Sequence, residues 1–149
     1  MMKETNYHSI VIDTNVLVSA LLSPTSKPNL ALQKALNEYS ICVSEKTFNE
    51  FVEVINRPKF LKYINPEIKE QFILTFRNAV NFIEVTEIIN DCKDPKDNQF
   101  LEVAVSANAI YLVTGDKRDL LTMNPYRNIE IISVSEFLNK SDRVKAVFF

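Results

Sequence analysis

Apolar positions along the chain follow two alternating rhythms. Short runs rich in β-branched residues read as strands over His8–Ile12, Ser40–Val43, Phe82–Thr86, Ile110–Val113 and Ile129–Ile132. Between them the period lengthens to that of a helix. One helix is predicted over Asn15–Leu22, ended by the run Ser23-Pro24-Thr25-Ser26-Lys27-Pro28, and another over Asn29–Glu38 with Leu30, Ala31, Ala35 and Leu36 apolar. Ser44 is placed to cap a third over Glu45–Asn56, whose stripe is Phe48, Phe51, Val52 and Ile55; Pro58 ends it. Asn65-Pro66 is a helix start, and a fourth helix runs to Asn81 with Ile68, Phe72, Ile73, Phe76 and Val80 inward. A fifth starts near Asp97 with Phe100, Leu101, Ala104 and Val105 apolar. Short helices follow over Lys117–Thr122 and from a Ser135 cap through Leu138. Strands that alternate with helices predict a parallel sheet covered on both faces, in one domain over residues 1–149.

Two of the predicted strands end alike. Ser9-Ile10-Val11-Ile12 runs straight into Asp13, and Ile110-Tyr111-Leu112-Val113 into Thr114-Gly115-Asp116. In an open α/β sheet, ligands bind at the carboxyl ends of strands, where strand order reverses. Two acids from opposite ends of the chain thus become candidates for one site.

Composition narrows the chemistry. With 149 residues, 46% hydrophobic and 24% charged, the chain is long enough for a real core and ordinary for a globular protein. A net charge of −2 is not the basic footprint of a typical nucleic-acid binder, although acids filled by metal would hide a locally positive surface. The single glycine, Gly115, excludes a Gly-rich dinucleotide fingerprint and a P-loop. Cys42 and Cys92 have no metal or disulfide spacing and read as reduced core thiols; His8 reads as a strand-edge residue. The polar start Met1–Tyr7 lacks a signal-peptide core, and no apolar run approaches the ~20 residues of a membrane helix, so a cytosolic protein with no membrane partner is expected.

The remaining candidates are acids. Asp97 opens a helix, where an acid also serves as a simple cap. Glu50 lies beside the apolar stripe of its helix, where glutamates are commonly solvated. Asp91, Asp94 and Asp119 are acids in the same segments that also suit loop or cap roles. Oxygen ligands without histidine or cysteine select hard cations such as Mg²⁺ or Mn²⁺. Two such ions ~3.5–4 Å apart activate a water and stabilise the leaving oxygen of an in-line phosphodiester displacement.

Four stretches in order resemble the PIN-domain family. They are Asp13-Thr14-Asn15-Val16; Glu50 followed by Val54-Ile55-Asn56-Arg57-Pro58-Lys59-Phe60; Asp94-Pro95-Lys96-Asp97-Asn98-Gln99-Phe100-Leu101-Glu102-Val103-Ala104; and Leu112-Val113-Thr114-Gly115-Asp116. The nearest branch holds toxin components of bacterial toxin–antitoxin systems. The resemblance implies a three-layer α/β/α domain with a mostly parallel sheet of about five strands. It implies metal-binding catalytic acids at Asp13, Glu50, Asp97 and Asp116, polar helpers at Thr14 or Asn15 and at Thr114, and a less regular acid at Asp119. Asn108 and the 25–28 stretch stand where the family often has glycine.

The function so implied is an endoribonuclease that hydrolyses single-stranded RNA with one or two Mg²⁺ or Mn²⁺ ions, leaving 5′-phosphate and 3′-hydroxyl ends. Lys46, Arg57, Lys59, Lys96, Lys117 and Arg118 are candidates for backbone phosphate contacts, or else solvated surface charges. A cognate antitoxin is implied as a partner, and homodimers are common in the family. The apolar tail Val144–Phe149 is expected to pack on the core or on a partner subunit. Rival readings are a catalytically silent PIN fold that binds RNA or protein, and a DNA-directed nuclease. A haloacid-dehalogenase-like phosphatase needs a second aspartate where Asn15 stands, and a receiver domain needs a lysine after a late strand that Thr114-Gly115-Asp116 does not supply.

Overall fold

The structure is a computed structural model that describes residues 7–116 and 118–142. Lys117 and the tail Val144–Phe149, both singled out above, lie outside the described residues. Five strands, β1 (Ser9–Ile12), β2 (Ser40–Val43), β3 (Asn81–Phe82), β4 (Tyr111–Val113) and β5 (Glu130–Ile132), form one sheet in the order β3-β2-β1-β4-β5. All four pairings are parallel. The chain builds outward from β1 to β3, then crosses back to place β4 on the other side of β1.

The helices are α1 (Thr14–Leu22), α2 (Lys27–Glu38), α3 (Glu45–Ile55), α4 (Pro66–Ala79), α5 (Asn98–Ser106) and α6 (Val134–Leu138). Side-chain alternation sorts them into layers. Ile10, Ile12, Ile41, Val43, Tyr111, Val113 and Ile132 share one face and pack with α1, α2, α3, α4 and α6. Val11, Cys42, Leu112 and Ile131 point the other way, against α5 and, from the segments before it and after β4, Ile89, Cys92 and Leu120. Both cysteines are free and buried there.

Local chemistry sets the boundaries. Asp13 caps α1, Ser26 caps α2, and Asn65 followed by Pro66 starts α4. Ser44 and Thr47 cap α3 reciprocally, their side chains each bonding the other's backbone N–H. Phe48, Phe51, Phe72, Phe76 and Phe82 form one aromatic cluster with centroids 5.3–6.5 Å apart, which pins α3 and α4 to the sheet. Fully burying a ring such as Phe51 contributes ~1.5–3 kcal/mol. At the sheet edge opposite the carboxyl ends of the strands, Tyr39 and Tyr111 both donate to the Asp142 carboxylate. Lys34 Nζ donates to the carbonyls of Phe137 and Lys140 at 2.7 and 2.5 Å.

Several expectations need correction. The strand expected over Phe82–Thr86 shrinks to Asn81–Phe82. Beyond it, side chains of α5 replace a ladder: Ser106 Oγ accepts the Thr86 N–H at 3.0 Å and Glu102 accepts that of Ile89 at 2.9 Å. Of the helix expected over Lys117–Thr122, the described residues form turns over 118–120 and a 3₁₀ turn, Leu121–Met123, with the backbone N–H groups of 118–120 held by the Asp116 side chain. Ser133, not Ser135, caps α6, since only Ser133 has Glu136 three positions on to complete a capping box. Ile68, expected inward on α4, is 60% exposed, while the neighbouring Lys69 turns in.

Among the described residues, the left-handed backbone positions fall on Asn108 (φ 53°), Arg127 (φ 46°) and Asn128 (φ 68°), while Gly115 is not among them. Asn108 closes α5: its N–H reaches the Val105 carbonyl at 3.2 Å and the next N–H reaches Ala104 at 2.9 Å. Asparagine tolerates this conformation, whereas a β-branched residue does not. Asn108→Val is expected to lower stability by about 1–2 kcal/mol in urea unfolding, with Asn108→Gly no less stable than the parent. A fully stable valine variant would show that this position is not strained.

Candidate active site

The candidate site forms where strand order reverses. β1 and β4 lie side by side with Ile12 opposite Val113, so Asp13 and Thr114 leave the sheet together. The Asp13 N–H donates to the Val113 carbonyl at 3.0 Å. The Asp13 side chain is 4% exposed, and its carboxylate accepts the Val16 N–H at 3.0 Å, the Thr114 hydroxyl and the Gly115 N–H. Burial outweighs these three donors and holds the carboxyl above its usual range, with the Asp116 charge adding to the rise. Thr114 is fully buried, and its hydroxyl also accepts the Asp116 N–H at 2.9 Å. One oxygen therefore ties both strand-end acids.

Asp116 is oriented by its own turn, accepting the N–H groups of Arg118 at 3.1 Å, Asp119 at 3.2 Å and Leu120 at 3.3 Å. Burial alone would raise its pKa. The hydrogen bond with Asp97 and these backbone donors overcome that, leaving it below the usual range.

Asp97 ends the 3₁₀ turn Pro95–Asp97 just before α5, and its side chain makes no capping bond. It faces the other acids instead. Its pKa is pushed up to about 7 by burial, then by the hydrogen bond with Asp116, then by the charges of Asp94, Asp116 and Asp13. Asp97 is thereby biased toward its protonated form and Asp116 toward its ionised one. Asp94, Asp97 and Asp119 also bring one carboxylate oxygen each within 4.8 Å of one another. Asp94 begins the 3₁₀ turn by accepting the Lys96 N–H at 3.0 Å.

Glu50 comes from the flank of α3, half-buried, and accepts a hydrogen bond from the Gln99 amide. The same Gln99 nitrogen donates to the Lys96 carbonyl at 2.9 Å. Gln99 is the site residue that sequence reasoning passed over; its signal was a polar residue on the apolar side of a helix start. Asn98 is a second, its Oδ1 accepting the Cys92 N–H at 2.8 Å and so holding the loop that carries Asp94. Glu50, Asp94, Asp97 and the exposed Asn15 line a cleft of about 430 Å³. Arg57, Lys59 and Lys96 stand on its wall, while Lys46 and Arg118 are exposed and do not line it. Among the described residues, no lysine or arginine forms an ion pair with Asp13, Glu50, Asp94, Asp97, Asp116 or Asp119.

The donor set suits a hard divalent cation. It is all oxygen, it concentrates negative charge without a paired cation, and two buried oxygens beside it, Thr14 Oγ1 and Gln99 Oε1, have no hydrogen-bond partner. Cys92 lies near enough to feel Asp97, Asp119 and Asp116, but burial first and those charges next push its thiol up, so it stays protonated and is not a competing thiolate.

Residues 9–118 match a family model described as PIN domain. The uncharacterized protein MJ1680 of Methanocaldococcus jannaschii is 35% identical over 128 residues, which cover 83% of this chain and 81% of the relative. Among solved structures, the fold is similar to that of VapBC2 from Rickettsia felis, solved bound to a DNA fragment from their promoter, with a TM-score of 0.54 at 15% identity over 84% of this chain and 98% of that one. It is also similar to PAE2754 from Pyrobaculum aerophilum, with a TM-score of 0.59 at 15% identity over 88% and 87%. At that identity the two structures bear on the fold, a three-layer α/β/α arrangement about a parallel sheet.

The raised carboxyl of Asp97 makes the metal-free protein pH-sensitive. Its folded pKa, about 7, lies above the ordinary 3.8, so its contribution to stability is full below pH 4 and is lost as pH rises through 7. Asp97→Asn removes that dependence. In EDTA, the variant's stability relative to the parent should rise between pH 5 and pH 8 by on the order of 1 kcal/mol, reduced by water at the partly exposed group. Parallel pH profiles from chemical unfolding would show that Asp97 titrates normally.

Proposed function

The chain belongs to the PIN domain family, and from that premise we propose that it is a metal-dependent nuclease that cleaves single-stranded RNA as the toxin of a toxin–antitoxin pair. The observation that carries this reading is the gathering of carboxylates at one place: Asp94, Asp97 and Asp119 bring oxygens within 4.8 Å of one another, and the strand-end acids Asp13 and Asp116 lie near enough for their charges to add to the burial that raises Asp97. A structural cluster has no reason to accept that repulsion; a cation site does.

In this reading Asp13, Asp97 and Asp116 ligate Mg²⁺ or Mn²⁺, with Glu50 a ligand directly or through water. Asp94 and Asp119, whose carboxylate oxygens group with that of Asp97, belong to the same oxygen set. When bound, such an ion lowers the pKa of water and neutralises charge developing on the phosphodiester oxygens. The chain's own residues prepare the ground. Val16, Thr114 and Gly115 fix the Asp13 carboxylate, and the backbone of 118–120 fixes that of Asp116. Gln99 steers Glu50 toward the cleft. Arg57, Lys59 and Lys96 are positioned to hold backbone phosphates. Thr14 and Asn15 border the acids as polar helpers, while Lys46 and Arg118 serve a longer strand. The expected products bear 5′-phosphate and 3′-hydroxyl ends.

The likeness to VapBC2 and the resemblance to the toxin branch support a cognate antitoxin that covers the cleft, and a homodimer is the proposed assembly. No helix among the described residues is long and apolar enough to cross a membrane, in keeping with a proposed cytosolic site of action.

The test is cleavage of a fluorescent single-stranded RNA and its DNA counterpart with Mg²⁺, Mn²⁺ or EDTA. Asp13→Asn and Asp116→Asn are each expected to lower the rate by roughly 100-fold or more, the scale of losing one group that stabilises transition-state charge. Cleavage that survives EDTA or the double variant overturns the assignment. Cutting of DNA alone moves it to a DNA-directed nuclease, and Mn²⁺ binding without cutting moves it to a binding domain. Metal affinity should also follow the Asp97 proton. Mn²⁺ binding is expected to tighten about tenfold per pH unit below 7 and level off above, with close to one proton released near pH 6 by calorimetry in two buffers. A flat profile would remove Asp97 from the ligand set.

A further inference from the structure

The segment Arg57-Pro58-Lys59-Phe60-Leu61-Lys62-Tyr63-Ile64 carries three cations and no acid in a chain whose net charge is −2. It joins α3 to α4 as the 3₁₀ turn Pro58–Phe60 and the turns that follow. Successive i→i+3 bonds run from Phe60 N–H to Arg57 at 3.0 Å, Leu61 to Pro58 at 3.1 Å and Tyr63 to Phe60 at 3.0 Å. Winding with three residues per turn brings i and i+3 side chains over one another. Phe60 and Tyr63 thus share one side, and Lys59 and Lys62 the next. Lys59 Nζ lies 5.1 Å from the Phe60 ring centre and Lys62 Nζ 5.4 Å from that of Tyr63.

This ledge is built and held, not loose. Phe60 and Ile64 pack against the core. Behind it Lys69, 8% exposed, donates from Nζ to Asn56 Oδ1 at 2.6 Å, which ties α4 to the end of α3. Tyr63, by contrast, is 65% exposed and Leu61 53%. The ledge also runs into the cleft, since Arg57, Lys59 and Phe60 share its wall with Glu50, Asp94 and Asp97. Glu53 pairs with Arg57 at 3.7 Å, but both groups are exposed and the pair is easily given up to a phosphate.

We propose that residues 57–64 form a stacking ledge for single-stranded nucleic acid, with the exposed Tyr63 ring under a base, the core-packed Phe60 supporting the ledge from behind, and Arg57, Lys59 and Lys62 along the backbone, leading the strand into the acid cleft. The choice of occupant rests on the nuclease reading above; the surface itself supports it. Exposed aromatic rings interleaved with cations are how proteins hold single strands without reading sequence, because every base offers a flat face. A duplex keeps those faces stacked, so the ledge selects single strands.

The test measures binding in EDTA, so that its outcome does not depend on cleavage. Anisotropy of a labelled single-stranded RNA is read with the full chain, Tyr63→Ala, Tyr63→Phe and the Lys59→Ala/Lys62→Ala pair. Tyr63→Ala should weaken binding about 5- to 100-fold, the range for removing one stacked base, while Tyr63→Phe stays near the parent. The lysine pair should flatten the slope of log K against log salt by about 1.4, two single-strand phosphate contacts. A strand abasic along its length should bind weakly to the parent and lose nothing further on Tyr63→Ala. Undiminished binding by Tyr63→Ala, or an equal loss against the abasic strand, overturns the proposal. Intact binding that depends on Tyr63, with no metal-dependent cleavage, would instead reject the nuclease reading and leave the ledge standing.

Discussion

The pairing of β1 with β4 is the constraint on which the rest depends. It joins segments from opposite ends of the chain and sets Asp13 beside Thr114. Thr114 then converts that register into chemistry, donating to one strand-end acid and accepting from the backbone of the other. Because it is fully buried, neither bond is exchanged with water, and loss of the hydroxyl would leave polar groups unmet in the interior. Its own N–H is taken by Ile132 at 2.9 Å, so β5 holds the bridge from behind.

Around this bridge the fold assembles charge that opposes its own stability. Burial raises Asp13, Asp97 keeps its proton to about pH 7, and Asp116 stays ionised because Asp97 and three backbone donors serve it. The aromatic cluster between α3 and α4 and the paired apolar faces of the sheet supply the compensating stability elsewhere. In the proposed reading these acids await a partner that brings positive charge, with the donors around Asp13 and Asp116 holding both carboxylates in place for it.

Much of this was legible in the sequence, for reasons that differ by element. α3 and α4 announced themselves because cap, stripe and stop all lie within one local stretch. Asp13 and Asp116 stood out because a β-branched run ending in an acid needs no tertiary knowledge to notice. The strand expected over Phe82–Thr86 was overread because β propensity does not reveal whether a neighbour is present to pair with. The cap at Ser133 was missed although its spacing to Glu136 was readable. What could not be read at all depends on distance through space. The opposite pKa shifts of Asp97 and Asp116, the contact of Gln99 with Glu50, and the grouping of Asp119 with Asp94 and Asp97 each join residues from separate turns or helices.

The chain places side chains at Asn108, Arg127 and Asn128, positions where glycine is the common choice, and has only one glycine in all. That choice acts on the unfolded state as well as the folded one. Each non-glycine residue narrows the range of conformations open to the denatured chain, an entropic gain for folding of about 0.4–1 kcal/mol wherever the native dihedral is tolerated. The dihedral strain is a nearly fixed enthalpic cost, whereas the entropic gain grows in proportion to absolute temperature. The balance between them therefore shifts toward the folded state as the protein is warmed, and these two turns resist heat better than their strained angles alone would suggest.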